Sequence, residues 1–267
     1  MRSDPDTAAN FGPPLSRRGL LVACCLATTN LALGSDGPKA VLPDPVLIEW
    51  GTAPAGSSSQ QIRLKVFTSG LVESWPAGRS LSHREQRTPD EARQLAAKLA
   101  DLTREADVST GAIQRELREH SRKTGLSFVI QNADDSLIRI VTDSGLVEVR
   151  CPASLLLAER FPEASRLQAF VRVERQLTNL GCVVQCGGRE AAEKVCAKAN
   201  ERLRAEHPAA ARWTIDDVMM VRLSSDGGRF IQFRRDEGIS ESWTTCVTET
   251  PGQPPRITTI PPASQLR

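Results

Sequence analysis

Ser-Gly-Leu-Val-Glu occurs twice in this chain, at residues 69–73 and 144–148, and the likeness extends beyond five letters. Leu64-Lys65-Val66-Phe67-Thr68 leads into the first copy. Ile138-Arg139-Ile140-Val141-Thr142 leads into the second, with one extra residue, Asp143. Both copies alternate apolar or β-branched residues with polar ones on either side of a short segment containing Gly. That is the pattern of a half-buried hairpin. Gly supplies the positive φ that a tight turn demands at little steric cost. A looser echo runs through Phe230-Ile231-Gln232-Phe233, Asp236-Glu237-Gly238 and residues 239–243, and both it and the first copy end in Glu-Ser-Trp. Two origins fit, a shared ancestral unit or the general suitability of Gly-Leu-Val for hairpins. A further strand is expected ahead of each hairpin, at residues 46–49, 126–131 and 218–223. The connections are Gly51 to Gln60, Asn132-Ala133-Asp134-Asp135 and Asp226-Gly227-Gly228. Three three-stranded antiparallel meanders follow.

Helical periodicity fills the intervals. Thr88-Pro89-Asp90-Glu91 has the form of a capping box with Pro at the first helical position. Ala92, Leu95, Ala96, Leu99 and Leu102 then trace one apolar stripe. A second helix is expected from Ser109, with Ile113 and Leu117 inward, to Gly125. A short one follows from Ala153 to Arg160, stopped before Pro162. Leu167, Phe170, Val173, Leu177 and Leu180 predict a helix from Glu163 to about Leu180. Gly187-Gly188 turns the chain into a last helix, Glu190 to Glu206, with Ala192, Val195, Cys196, Ala199 and Leu203 inward. The segment 251–267 carries five prolines and is expected to be an extended, loosely held strap. The order βββ–αα–βββ–ααα–βββ implies an α+β fold in which helices cover one face of antiparallel sheets. The lone basic residues Arg63, Lys65, Arg139 and Arg234 face water on the other side. A globular region over 35–250 is expected, divisible near residue 124.

The first 34 residues read as an address. Ser16-Arg17-Arg18 opens an apolar run from Gly19 to Leu33, with small residues at Ala32 and Gly34 around its end. At 15 residues, interrupted by Thr28, Thr29 and Asn30, the run falls short of the roughly 20 apolar residues that cross a bilayer. It fits an export signal, with a cut after Gly34 and Ser35 as the mature start. Ser16-Arg17-Arg18-Gly19-Leu20-Leu21-Val22 resembles the twin-arginine signal, though Leu and Val replace that pattern's Phe and Lys. The resemblance implies a cargo folded before export, and an ordinary Sec leader with two arginines accounts for the same residues. Leu21-Val22-Ala23-Cys24 resembles a lipobox, which implies a protein anchored by acylation at Cys24. The resemblances are confined to the leader, and either destination is extracytoplasmic, periplasmic or extracellular.

Composition narrows the function of the mature part. The leader takes Arg2, Arg17 and Arg18, with Asp4 and Asp6, from totals of 34 basic and 32 acidic residues. What remains is near neutral, which gives no electrostatic ground for binding nucleic acid or an anionic membrane. Tyrosine is absent and aromatics make up 4% of the chain, which disfavours the stacking platforms of carbohydrate and single-stranded nucleic-acid binders. No stable membrane span is expected in the mature chain.

No arrangement of residues marks a catalytic or metal site. Cys182, Cys186 and Cys196 are three thiols where zinc takes about four ligands, and Cys196 lies on an apolar stripe. With Cys151 and Cys246 they make an odd five, so disulfide pairing is left open. His83 falls in a polar loop (residues 80–87), His120 beside an apolar helix face, and His207 at a helix end where it faces terminal carbonyls. Asp134-Asp135 and Asp216-Asp217 read as turn formers or caps. Arg234-Arg235 reads as a solvated strand edge able to meet a carboxylate. No catalytic, cofactor-binding or metal-ligating residue is assigned. The expectation is an exported, non-catalytic envelope protein that binds or scaffolds an envelope protein or a small ligand. The alternative is an exported hydrolase using His83 or His120 with an acid.

Overall fold

The computed structural model describes residues 43–54, 57, 59–236 and 242–262. The leader, with Cys24 and its cut site, lies outside the described residues, as does the turn of the third echo at 237–241. Among the described residues two antiparallel sheets and five α-helices make an α+β fold.

β1 (Val46–Ala53) lies inside a six-stranded sheet, flanked by β2 (Gln61–Phe67) and β5 (Asp135–Thr142). Beyond β2 come β3 (Leu71–Ser74) and β4 (His83–Gln86), and beyond β5 comes β6 (Gly145–Pro152). The pentapeptides thus open the second strand of two hairpins, β2–β3 and β5–β6, packed on opposite sides of β1. The first hairpin turns through Thr68, Ser69 and Gly70, the second through Asp143 and Ser144. Gly70 has φ +87°, and a Cβ there would lie 2.2 Å from the Arg87 carbonyl oxygen, so no other residue fits without backbone movement.

Strand register lines up one row of charges over all six strands. In spatial order it reads Arg84, Glu73, Lys65, Glu49, Arg139, Glu148. Signs alternate throughout, with ion pairs Arg84–Glu73 (2.7 Å), Lys65–Glu49 (3.4 Å), Arg139–Glu49 (3.9 Å) and Arg139–Glu148 (2.6 Å). Both pentapeptides end on an acid of this row. The alternate positions Ile48, Leu64, Val66, Val72, Ile138, Ile140 and Val149 form the apolar face, packed under α1 (Pro89–Glu105), α2 (Thr110–Thr124), α3 (Ser154–Arg160) and α4 (Ser165–Gln185). The capping box of α1 is formed, Glu91 N–H donating to Thr88 Oγ1 (3.2 Å) and Thr88 N–H to Glu91 Oε2 (2.9 Å).

The second sheet runs β10 (Arg256–Ile260), β9 (Ser242–Glu249), β8 (Arg229–Asp236), β7 (Val218–Leu223). It packs against α5 (Arg189–Glu206) and the last turns of α4, burying Val183, Val195, Phe233 and Val247. Helix α4 therefore feeds both parts of the interior. Among the described residues no helix is long and apolar enough to cross a membrane.

The grouping into three three-stranded units is corrected in three places. Residues 126–131 form no strand, because both sides of β5 are already taken, by β1 and β6. The segment bonds locally instead, Val129 N–H donating to Ser127 Oγ (3.1 Å), while Phe128 and Ile130 pack on the core. The polar segment around His83 contains β4, paired with β3; a strand with no apolar residue gives no alternation to detect. The proline-rich segment contains β10, paired over five residues with β9. Its five prolines, at 251, 254, 255, 261 and 262, all lie outside the strand and remove none of its donors.

Candidate functional site

Two β-bulges face a common cleft. In the β1–β2 ladder the pairing steps from Trp50↔Leu64 to Gly51↔Ile62, leaving Arg63 as the extra residue. In the β7–β8 ladder it steps from Val218↔Phe233 to Met220↔Gln232, leaving Met219 extra. A bulge bends its strand and re-aims the side chain it carries. Arg63 and Met219 both line the same cleft of about 270 Å³, where the first sheet, α4 and β7 meet. Trp50, Trp75, Met220 and Cys182 supply most of the rest of the wall, with the polar side chains of Ser74, Thr178 and Gln185 among them. The tryptophans and methionines are half-buried, so the cleft is apolar and reachable from solvent.

Each element is fixed in place. Asn179 on α4 donates to the carbonyls of Ile215 (2.7 Å) and Val218 (3.1 Å), which holds the start of β7 against the helix. Gly181 lets α4 approach β3: a Cβ there would lie 3.1 Å from Ser74 Oγ. Gln185 Nε2 donates to that same hydroxyl (2.8 Å). Arg79 Nη2 donates to the Leu223 carbonyl (3.1 Å), tying the loop after Trp75 to the end of β7. Trp50 Nε1 donates to Ser136 Oγ (3.1 Å). The Ser136 hydroxyl in turn donates to Glu174, which also accepts from Ser154 Oγ (2.6 Å). Burial pushes the Glu174 carboxyl up despite these two donors. The indole of the cleft wall is thus anchored to a buried carboxyl on α4.

The chemistry of the lining is that of a holding site. Burial pushes the Cys182 thiol up to about 12, so it stays protonated at neutral pH and behaves as a small apolar group. Among the described residues Arg63 is the only charged side chain lining the cleft. A smaller groove of about 190 Å³ at the far end of the second sheet is lined by Arg229 and Glu249, which pair with each other at 2.5 Å.

The residues singled out in the sequence fall elsewhere. His83 on β4 stands opposite Ser74, His120 lies on α2 with its ring 6.5 Å from Phe161, and His207 caps α5 with its ring edge-on to Trp243 at 5.0 Å. No hydrogen bond or ion pair among the described residues joins these rings to a carboxylate. Cys151, Cys182, Cys186, Cys196 and Cys246 are free thiols, four of them buried. Burial holds Cys151 at about 12 and Cys186 and Cys196 at about 11. No group of His, Cys, Asp and Glu among the described residues could hold a metal ion. Asp135 pairs with Arg150 (2.6 Å), and Asp217 accepts from the backbone of Thr214 (2.8 Å) as a cap. Arg234-Arg235 lies on β8, an inner strand and not an edge. Arg235 is half-buried, 2.5 Å from Asp217 and stacked 5.2 Å over the Trp213 ring.

Arg63 was visible in the sequence only as a solvent-facing base, and Trp50, Trp75 and Met219 carried no weight. One signal pointed to them: Met219-Met220 are the only methionines besides Met1. Two adjacent adaptable side chains in a chain this poor in methionine mark a place where packing alone does not set the choice. Comparison with known protein families, with curated proteins and with solved structures gives no match.

Proposed function

We propose that this chain is an exported, non-catalytic protein of the cell envelope that binds a small ligand in the cleft between Trp50, Trp75 and Met219. The observation that carries the reading is the convergence of two bulges on one solvent-accessible apolar cleft. Small-molecule sites are concave, mostly apolar and furnished with a few placed polar groups, and this cleft has that form. Its one thiol is protonated and its one charge is a guanidinium, a group that orients ligands without exchanging protons. The export half of the proposal rests on the leader, with its twin arginines and small residues before Ser35.

Purification from the native host's extracytoplasmic fraction, followed by native mass spectrometry, tests both halves. A chain starting at Ser35 or at an acylated Cys24, carrying a bound small molecule that is lost in Trp75→Ala, is the expected result. Full-length chain in the cytoplasm overturns the export assignment. A ligand-free chain from every fraction overturns the binding one.

A further inference from the structure

We infer that the cleft takes a small apolar molecule bearing one carboxylate, with the acid group held by Arg63. The inference rests on the binding function proposed above and goes further in naming the ligand class. Five other strand arginines close onto a carboxylate: Arg84 on Glu73 (2.7 Å), Arg139 on Glu148 (2.6 Å), Arg150 on Asp135 (2.6 Å), Arg229 on Glu249 (2.5 Å) and Arg235 on Asp217 (2.5 Å), while Arg222 and Arg256, with no carboxylate partner among the described residues, are exposed to solvent and line no part of this cleft. Arg63 has no carboxylate partner among the described residues. Its one side-chain bond there is a long one, from Nη2 to Gln61 Oε1 (3.3 Å). It is half-buried, it is aimed by a bulge, and no Asp or Glu lines the cleft with it. A guanidinium in such a place is a fork of parallel donors waiting for a planar anion, and a carboxylate matches it bidentately.

Charge count selects the class. One guanidinium balances one negative charge. A phosphate monoester brings close to two, and the surplus would be desolvated against indole and thioether without a partner. Size and wall chemistry select the rest. At about 270 Å³ the cleft falls just below the range of sites for drug-sized molecules, roughly 300 to 1,000 Å³, so its ligand is smaller than those. Trp50 and Trp75 offer flat apolar area, and Met219 and Met220 adapt to the shape of an alkyl or ring body.

The test is a titration of the full chain with decanoate, decanol and decylamine below their aggregation limits, followed by tryptophan emission. Decanoate is expected to bind roughly tenfold or more tightly than decanol, and decylamine more weakly than either. Arg63→Gln should bring decanoate down to the affinity of decanol, and Arg63→Lys, which keeps the charge but not the fork, should fall between. Circular dichroism reports whether the variants fold; if Arg63→Gln does not, the decanoate-to-decanol ratio of the unaltered chain decides alone. Equal binding of decanoate and decanol, or an Arg63→Gln protein that holds decanoate undiminished, overturns the acid assignment and leaves the binding function standing. No response to any of the three overturns both.

Discussion

Glu174 shows what a single residue can carry without any trace in the sequence. It lies on α4 and is 7% exposed, and burial keeps its carboxyl protonated to higher pH than in the unfolded chain, against the opposing effect of Ser154, Ser136 and Arg175. The folded state therefore binds more protons than the unfolded state as pH rises above the ordinary value of 4.5, and stability declines through that window until the raised pKa is passed. Glu174→Gln removes the titration. Urea midpoints measured from pH 4 to pH 8 are expected to shift progressively in the variant's favour as pH rises. Two parallel curves would mean that burial does not shift this carboxyl. A glutamate on a helix reads as solvated in any sequence. What makes this one different is Ser136 on β5 and Ser154 on α3, and no local pattern announces that three such residues will meet.

The elements divide into those whose ends are written locally and those whose ends are not. Helix α1 begins at Thr88, and its box closes within four residues, so its start was legible to the residue. Helix α2 is equally plain, from the Ser109 cap to Gly125 at φ +72°. Helix α4 begins after Ala164, which has no side-chain acceptor, and its cap comes from another helix. Glu116 on α2 accepts from Ser165 Oγ (3.0 Å), Arg166 N–H (3.0 Å) and Leu167 N–H (3.3 Å). A carboxylate there satisfies orphan donors and meets the positive end of the helix. Glu116→Ala should cost about 1–3 kcal/mol by denaturant unfolding, since it strips a cap and leaves buried N–H groups unpaired. Glu116→Gln, which keeps an acceptor, should cost less. A loss below about 0.5 kcal/mol would show that water replaces the cap. The strands divide the same way. Residues 126–131 are rich in strand-forming side chains (Phe128, Val129, Ile130) and still form none, because pairing is decided by vacancies in the sheet and not by the segment.

At the scale of the whole molecule the recurring pentapeptide finds its meaning in the charge row. In each hairpin the acid that ends the pentapeptide stands opposite the base of the preceding strand, Glu73 across from Lys65 and Glu148 across from Arg139. The hairpins were legible, and so was the solvent-facing placement of Lys65 and Arg139. Their union around β1 was not, because β5 reaches β1 only after two helices have intervened. Glu49 makes the union electrostatic, pairing with Lys65 on one side and Arg139 on the other. A one-residue slip of β1 against either hairpin would turn Glu49 into the apolar interior, so the row and the core specify the same register. The row should therefore be strongest at its centre. Glu49 is 16% exposed and bridges two strands, whereas Glu148 is 45% exposed on the outermost strand. Glu49→Gln is expected to lose about 1 kcal/mol, the sum of two cross-strand pairs, and Glu148→Gln no more than about half of that. Raising NaCl to about 1 M, where charges are screened within about 3 Å, should shrink the first difference and leave little of the second. If Glu148→Gln proves as costly as Glu49→Gln, the row acts as separate surface pairs and apolar packing alone sets the sheet's register.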